Sequence, residues 1–384
     1  MGELRRWVMR TCLYSLTCYI LLISLTPQAS QSCTTFCLDK GGQLLFGRNY
    51  DWMVDDCLVI VNKRGVKKSA LTDYTKDFGQ PASWTSKYGS ITFNQYGREF
   101  PSGGMNEAGL VVESMMLLEV PGFPEADSRP YINLLQWKQY QLDSCSSVEE
   151  VIASNAQIKI ENFPSINTGL HFLVCDRKGN CAIIEFLEGK MVYYTKETMP
   201  VKALTNVTYK ELIEFWKEDK LPNTDLGRSV ERFATAATML ERYDVKTTKS
   251  AVDYAFDILK KVAVVGPMAT EWSIVYDIIN LRIHFRTLDN QEIRHINLKR
   301  FNLSCIEPVK FFDIQADQSG DVTKKFIDYT QEINQTLIGN AFKETVWTWL
   351  MPANDNKTIH PYNTPENLVN LISQYPETTI CTNK

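Results

Sequence analysis

Histidine is scarce, with four copies in 384 residues. His171, His284, His295 and His360 show no metal-ligand spacing, and none stands in a motif that would pair it with a catalytic cysteine. A papain-like protease, which also needs its cysteine to open a helix, therefore has little support. No cluster of Lys and Arg forms a basic patch, so no nucleic-acid partner is expected. Past residue 25 no apolar run has membrane-spanning length. No repeat, low-complexity tract or Gly/Ser/Pro linker divides the chain. One large domain is the expectation, and an apolar content of 44% is ample for its core.

The chain opens on a leader. Arg5, Arg6 and Arg10 make a positive segment, Cys12 to Leu25 is mostly apolar, and the polar stretch Thr26 to Ser32 places small Ser30 and Ser32 ahead of Cys33. Residues 1–32 are expected to be a signal peptide, leaving a domain over 33–384 with a C-terminal extension from about residue 299. Removal of the leader would leave no stable membrane insertion. The product would be secreted, periplasmic or in the endolysosomal lumen. An uncleaved anchor is the competing reading, and it would keep Cys33 inside the chain.

Beyond the leader stand Cys33, Cys37, Cys57, Cys145, Cys175, Cys181, Cys305 and Cys381. An even count in an exported chain usually means bridges. If Cys33 is free, at least one more must be unpaired. Cys33 and Cys37 on one strand would hold their Cα atoms ~13 Å apart, beyond the ~7 Å reach of a disulfide. Cys175 and Cys181 flank the turn sequence Asp176-Arg177-Lys178-Gly179-Asn180 and could bridge a hairpin. Sequons at Asn206, Asn302, Asn334 and Asn356 are compatible with glycosylation.

The patterning alternates strands and helices. Cys33–Leu38 and Leu44–Asn49 flank Asp39-Lys40-Gly41-Gly42 and read as a hairpin; Leu58–Asn62 and Leu110–Val120 read as further strands. A helix is expected over Tyr131–Leu142 after Pro130. Ser147 with Glu150 reads as a capping box for the next helix. Strands are expected at Leu170–Cys175, Cys181–Leu187 and Lys190–Thr195, and helices at Tyr209–Lys217, Ser229–Tyr243 and Ala251–Val262. Strands at Trp272–Asp277, Leu281–Thr287 and Glu292–Leu298 close the core, with Arg282 to Arg286 alternating in period two. Such blocks imply α+β packing of two antiparallel sheets with helices outside.

Cutting the Ser32–Cys33 bond would give Cys33 both a thiol, pKa ~8.5, and a free α-amine, pKa ~7.7–8.0. The amine can take the thiol proton near neutral pH. Arg48 lies on the partner strand, where its charge would favour thiolate. Asp51, just beyond, could hold the amine.

Six segments in order, CTTF at Cys33, GRNYDW at Gly47, GGMNEAGL at Gly103, ALTN at Ala203, SVERF at Ser229 and TEWSIVYDIINLRIHFRT at Thr270, resemble the choloylglycine hydrolase family. This family includes bile salt hydrolases and penicillin V acylases. The resemblance implies an N-terminal-nucleophile hydrolase with an αββα sandwich, no metal or cofactor, and a small N-acyl amide substrate cleaved through a thioester. It implies Cys33 as nucleophile, Arg48 and Asp51 as its tuning groups, the Asn206 side chain as oxyanion donor and Arg232 in the surrounding polar network. Met116 stands where bile salt hydrolases carry Asn, so there only its backbone N–H would serve the oxyanion. Met105, Met115, Met116, Leu117 and Leu118 are expected either to line an acyl pocket or to be ordinary core. The interval from Asn206 to Arg232 lacks the long insertion that some relatives use to form tetramers, and gives no ground for one here. Acyl transfer to an amine, and a non-catalytic disulfide-braced binding protein, are the competing functions.

Overall fold

The computed structural model describes residues 33–71, 79–117, 122–123, 127–161, 169–219, 226–345 and 365–382. Its framework starts with Thr34–Lys40 and Gln43–Asp51, a hairpin turned by Gly41 and Gly42, both at positive φ. Their register sets Thr35 opposite Arg48 and Phe36 opposite Gly47. Gly47 is obligatory: a Cβ there would lie 2.2 Å from the Phe36 ring.

This hairpin is central to the first sheet. Among the described residues the order is Ala203–Leu204, Thr34–Lys40, Gln43–Asp51, Thr270–Asp277, Arg282–Thr287, Arg294–Asn297 and Gly320–Asp321. The second sheet runs Lys190–Thr195, Cys181–Leu187, Gly169–Cys175, Val111–Leu117, Gly103–Asn106, Ser90–Asn94, Leu58–Asn62, Lys310–Asp313 and Ile327–Asp328. Pairing is antiparallel apart from the parallel partners Arg294–Asn297 and Gly320–Asp321. The sheets face one another, with Thr34–Lys40 against Val111–Leu117 and Gly169–Cys175. Helices Leu226–Arg242 and Ala251–Lys261 cover the first sheet, and Trp137–Ser144 covers the second. Both covering helices of the first sheet are strongly amphipathic and bury one stripe: Val230, Phe233, Ala236 and Ala237 on one, Ala255, Phe256, Ile258 and Leu259 on the other. The expected α+β sandwich is thus the fold. All described residues belong to one compact unit, Gln31–Lys384.

Three local expectations need correction. Tyr131–Asn133 is a short strand parallel to Lys159–Glu161, and the helix begins at Trp137. Pro130 opens no helix, because its carbonyl accepts from the Lys159 N–H and the Tyr131 carbonyl accepts from the Ala82 N–H. The capping box is half formed. Ser147 accepts from the Glu150 N–H, but the Glu150 carboxylate turns to Ser146. The core does not close at residue 298 either. Lys310–Asp313 extends the second sheet, Gly320–Asp321 extends the first, and Ile380–Cys381 pairs with Val66–Ser69. Strands Ser90–Asn94 and Gly103–Asn106 were not foreseen; glycines and the Asn106 turn mask their pattern.

Cys175 and Cys181 are bridged, as is the unforeseen pair Cys305 and Cys381. Cys33, Cys37, Cys57 and Cys145 are free and buried. The Cys37 sulfur lies within 4.8 Å of both sulfurs of the Cys175–Cys181 bridge. No described helix is long and apolar enough to cross a membrane. The leader, Leu118 and the sequon at Asn356 lie outside the described residues.

Candidate active site

Cys33 directly precedes the first strand and is 7% exposed. Its nitrogen donates to Asn206 Oδ1 at 2.8 Å, and its sulfur lies 3.9 Å from the Asp51 carbonyl oxygen. The strand Ala203–Leu204 pairs with Thr35 and Phe36, which delivers Asn206 to this position. Asn206 is then held at both ends of its amide. Oδ1 also accepts from Arg232 Nη2 at 3.2 Å, and Nδ2 donates to the Met116 carbonyl at 2.8 Å. Nδ2 carries a second proton.

Arg232 comes from the helix Leu226–Arg242 and stitches the strand end together. Its Nη1 donates to the Cys33 carbonyl at 2.9 Å and to Thr34 Oγ1 at 2.8 Å, and lies 3.9 Å from Asp51 Oδ2. Asp51 Oδ1 accepts from Thr270 Oγ1 at 2.6 Å. A bulge makes that bond: Thr270 pairs with Asp51 and Trp272 with Tyr50, so Glu271 is extruded. The Asp51 carboxylate therefore spends itself on Thr270 and Arg232, while Asn206 takes the Cys33 nitrogen, a partner the sequence did not suggest.

Arg48 points between the sheets. Its Nε lies 3.3 Å from Glu113 Oε2, and Glu113 Oε1 accepts from the Tyr276 hydroxyl at 2.5 Å. Gly103 stands opposite Glu113, where a Cβ would lie 2.1 Å from the carboxyl group. Glu113 was missed in the sequence, although one acidic residue inside Val111-Val112-Glu113-Ser114-Met115 is a signal in its own right.

The electrostatics depart from expectation in one respect. Burial raises the Cys33 thiol, and Arg48 and Arg232 offset part of that while Asp51 adds to it. Arg48 acts in the expected direction, but desolvation wins, so the resting sulfur is a thiol. Burial also lifts Asp51 to about 7 against the pull of Arg232, Thr270 and Arg48. Arg48 keeps its charge: burial opposes it, and Cys33, Glu113 and Asp51 outweigh burial.

A cavity of about 100 Å³ opens on Cys33. Arg48, Tyr50 and Trp52 supply one wall, Ser114 and Met116 another, and Leu135, Lys138 and Leu170 the side next to the helix. Met105, Met115 and Leu117 do not line it; they are fully or almost fully buried core. Strand alternation explains this, since Ser114 and Met116 share one face of Val111–Leu117 while Met115 and Leu117 share the other. Met115 pairs with His171 and Met105 with Val111 on that opposite face.

Residues 33–217 match the sequence model of the linear amide C-N hydrolases, choloylglycine hydrolase family. Over that stretch the chain is similar to this family. The family's expected nucleophile and tuning positions, Cys33, Arg48, Asp51 and Asn206, all fall within the matched segment. The chain is 25% identical over 338 residues to a penicillin V acylase of Pectobacterium atrosepticum, covering 76% of this chain and 88% of the relative. Among solved structures, a penicillin V acylase from Agrobacterium tumefaciens superposes with a TM-score of 0.64 at 23% identity, over 78% of this chain and 98% of that one. A conjugated bile acid hydrolase from Clostridium perfringens gives 0.61 at 20% identity, over 75% and 98%. These two likenesses establish the shared fold. Arg232 lies beyond the matched segment, so its place beside Cys33 rests on the hydrogen bonds above.

Proposed function

We propose that this protein is an exported amidase that cleaves the linear C–N bond of N-acyl compounds with Cys33 as N-terminal nucleophile. The observation that carries the reading is the convergence of Arg48, Asp51, Asn206 and Arg232 on Cys33 at the mouth of a cavity. The match of residues 33–217 to the sequence model of the linear amide C-N hydrolases supports it.

Removal of residues 1–32 would convert the Cys33 nitrogen into an amine. The amine takes the thiol proton, and the sulfur attacks the substrate carbonyl. The remaining proton on Asn206 Nδ2 and the main-chain N–H of Met116 stabilise the oxyanion, each donor of this kind being worth roughly 3–4 kcal/mol. The amine then protonates the leaving nitrogen, the C–N bond breaks, and a thioester remains on Cys33. Water, deprotonated by the same amine, attacks that thioester and regenerates the thiol. A thiol held neutral by burial suits this sequence, because the proton leaves as the S–C bond forms. Arg48 stabilises the sulfur as it gains charge, and Arg232 fixes the strand end that carries it.

Intact-mass analysis of the mature protein with a panel of N-acyl amides tests the reading. The expected result is a chain starting at Cys33 that gains one acyl mass, with C33A losing at least about a thousandfold in kcat/KM. A mature chain starting at Met1, or full activity in C33A, would overturn it. Adding competing amines separates hydrolysis from acyl transfer by product. Export is tested by glycan mapping after eukaryotic expression. Asn206 and Asn334 are fully buried and should be bare, whereas Asn302 is exposed and available.

A further inference from the structure

Lys138 lines the same cavity as Cys33 and takes no part in the chemistry derived above. It sits in the first turn of the helix Trp137–Ser144 and is 2% exposed. Among the described residues no hydrogen bond or ion pair engages its ammonium. Nζ stands 5.9 Å from the Phe172 ring centroid. A lysine so deeply buried without a partner costs several kcal/mol unless something compensates it.

The local charge balance does not provide that compensation. The charged and titratable groups around Lys138 are Arg48 and Glu113 on the two facing sheets, with Cys33, Tyr50 and Tyr96 on the cavity wall. Glu113 is already committed to Arg48 and to the Tyr276 hydroxyl. On its own helix, Asp143 is taken by Lys68 and Trp84. Two cations, Arg48 and Lys138, thus share one carboxylate, and the buried Arg48 Nη1 has no acceptor among the described residues. The rest of the wall, from Tyr50, Trp52, Phe100, Leu135 and Leu170, is suited to carbon.

We propose that Lys138 is a specificity-determining residue that pairs with an acid group on the substrate portion lodged in the cavity. The substrate class is then an N-acyl amide bearing a carboxylate, whether on the acyl chain or on the amine half. This rests on the amidase reading for the site but concerns recognition alone. Burial lowers Lys138 to about 7, with Arg48 adding to the effect and Glu113 opposing it. An arriving carboxylate would hold the proton on Nζ, so preference for acidic substrates should be strongest below pH 7 and fade above it.

The test uses two substrate series on the mature enzyme. One varies the acyl end from carboxylate to methyl ester at several chain lengths; the other varies the amine half from amino acid to its primary amide. The readout is the ratio of kcat/KM for acid over neutral partner. The expected result is a ratio that favours the acid in one series and falls at least about tenfold in K138M, since a charge-assisted hydrogen bond is lost. K138R should restore most of it. Equal ratios in wild type and K138M in both series would overturn the proposal. If no amide in either series is cleaved, the amidase reading is what fails, and calorimetric titration still decides on Lys138. Monocarboxylic acids should then bind C33S more tightly than their amides and lose that margin in C33S/K138M; equal binding would overturn the inference.

Discussion

At the scale of single residues, the site packs polar groups together out of water, with Asn206 Oδ1 and Arg232 Nη1 each serving two partners. Asp51 illustrates the consequence. Its folded pKa of about 7 lies above the ordinary value of 3.8, so the native state holds this proton more tightly than the unfolded chain does. The stability it contributes is complete below about 3.8 and is lost as pH rises through about 7. The melting temperature of wild type, measured relative to D51N, should therefore fall steadily between pH 4 and pH 7; a difference independent of pH would show that the carboxyl is not titrating there. Gly103 supplies a second case. G103A pushes a methyl group into the Glu113 carboxyl and should cost about 1–3 kcal/mol in chemical denaturation. It should also lower kcat/KM, because Glu113 anchors Arg48. Cys33, Arg48 and Asp51 could be placed together from the leader and the first hairpin, whereas Asn206 and Arg232 were legible only through the family resemblance of their segments. Glu113, Thr270 and Lys138 were not, because their roles come from neighbours far along the chain.

At the scale of elements, hairpins were the most readable features. Asp39-Lys40-Gly41-Gly42 and the turn between Cys175 and Cys181 combine turn residues with flanking apolar runs, and both hairpins formed. Pro130 misled because a proline that can start a helix can equally precede a strand. The Met-rich stretch divides between the two readings held for it: composition names apolar residues, but strand alternation decides which face the cavity. The short helix Val148–Ser154 offers a direct check on caps. S147A should lose about 1 kcal/mol, the usual worth of an N-cap hydroxyl. E150Q should lose little, because the Glu150 side chain reaches Ser146 at an exposed position rather than closing the box. Guanidinium melts of the two variants would separate these outcomes.

At the scale of the whole molecule, the C-terminal hundred or so residues finish what the first sixty begin. Lys310–Asp313 lies directly beside Leu58–Asn62, and Cys381 is bonded to Cys305. This could not be read from the sequence, since strands of two to four residues carry little periodic signal. The two bridges should differ in their worth. The Cys305–Cys381 loop spans 76 residues and the Cys175–Cys181 loop 6. Chain entropy then gives about 4 kcal/mol for the first against about 2 kcal/mol for the second. Paired cysteine-to-serine variants unfolded in urea should show that order, and a reversed order would point to strain or residual structure in place of loop length.

The third sulfur beside the Cys175–Cys181 bridge has a practical meaning. Burial holds the Cys37 thiol up at about 12, so near neutral pH it is a poor attacker of its neighbours. Strong alkali would release it: the Cys37 thiolate would displace one of the paired sulfurs, form a new bond to the other and leave a different thiolate behind. The opening strand would then be welded to the opposite sheet. Samples stored in caustic buffers should accordingly drift into a mixture of cross-linked isomers, distinguishable by peptide mapping, while mildly acidic storage keeps a homogeneous stock.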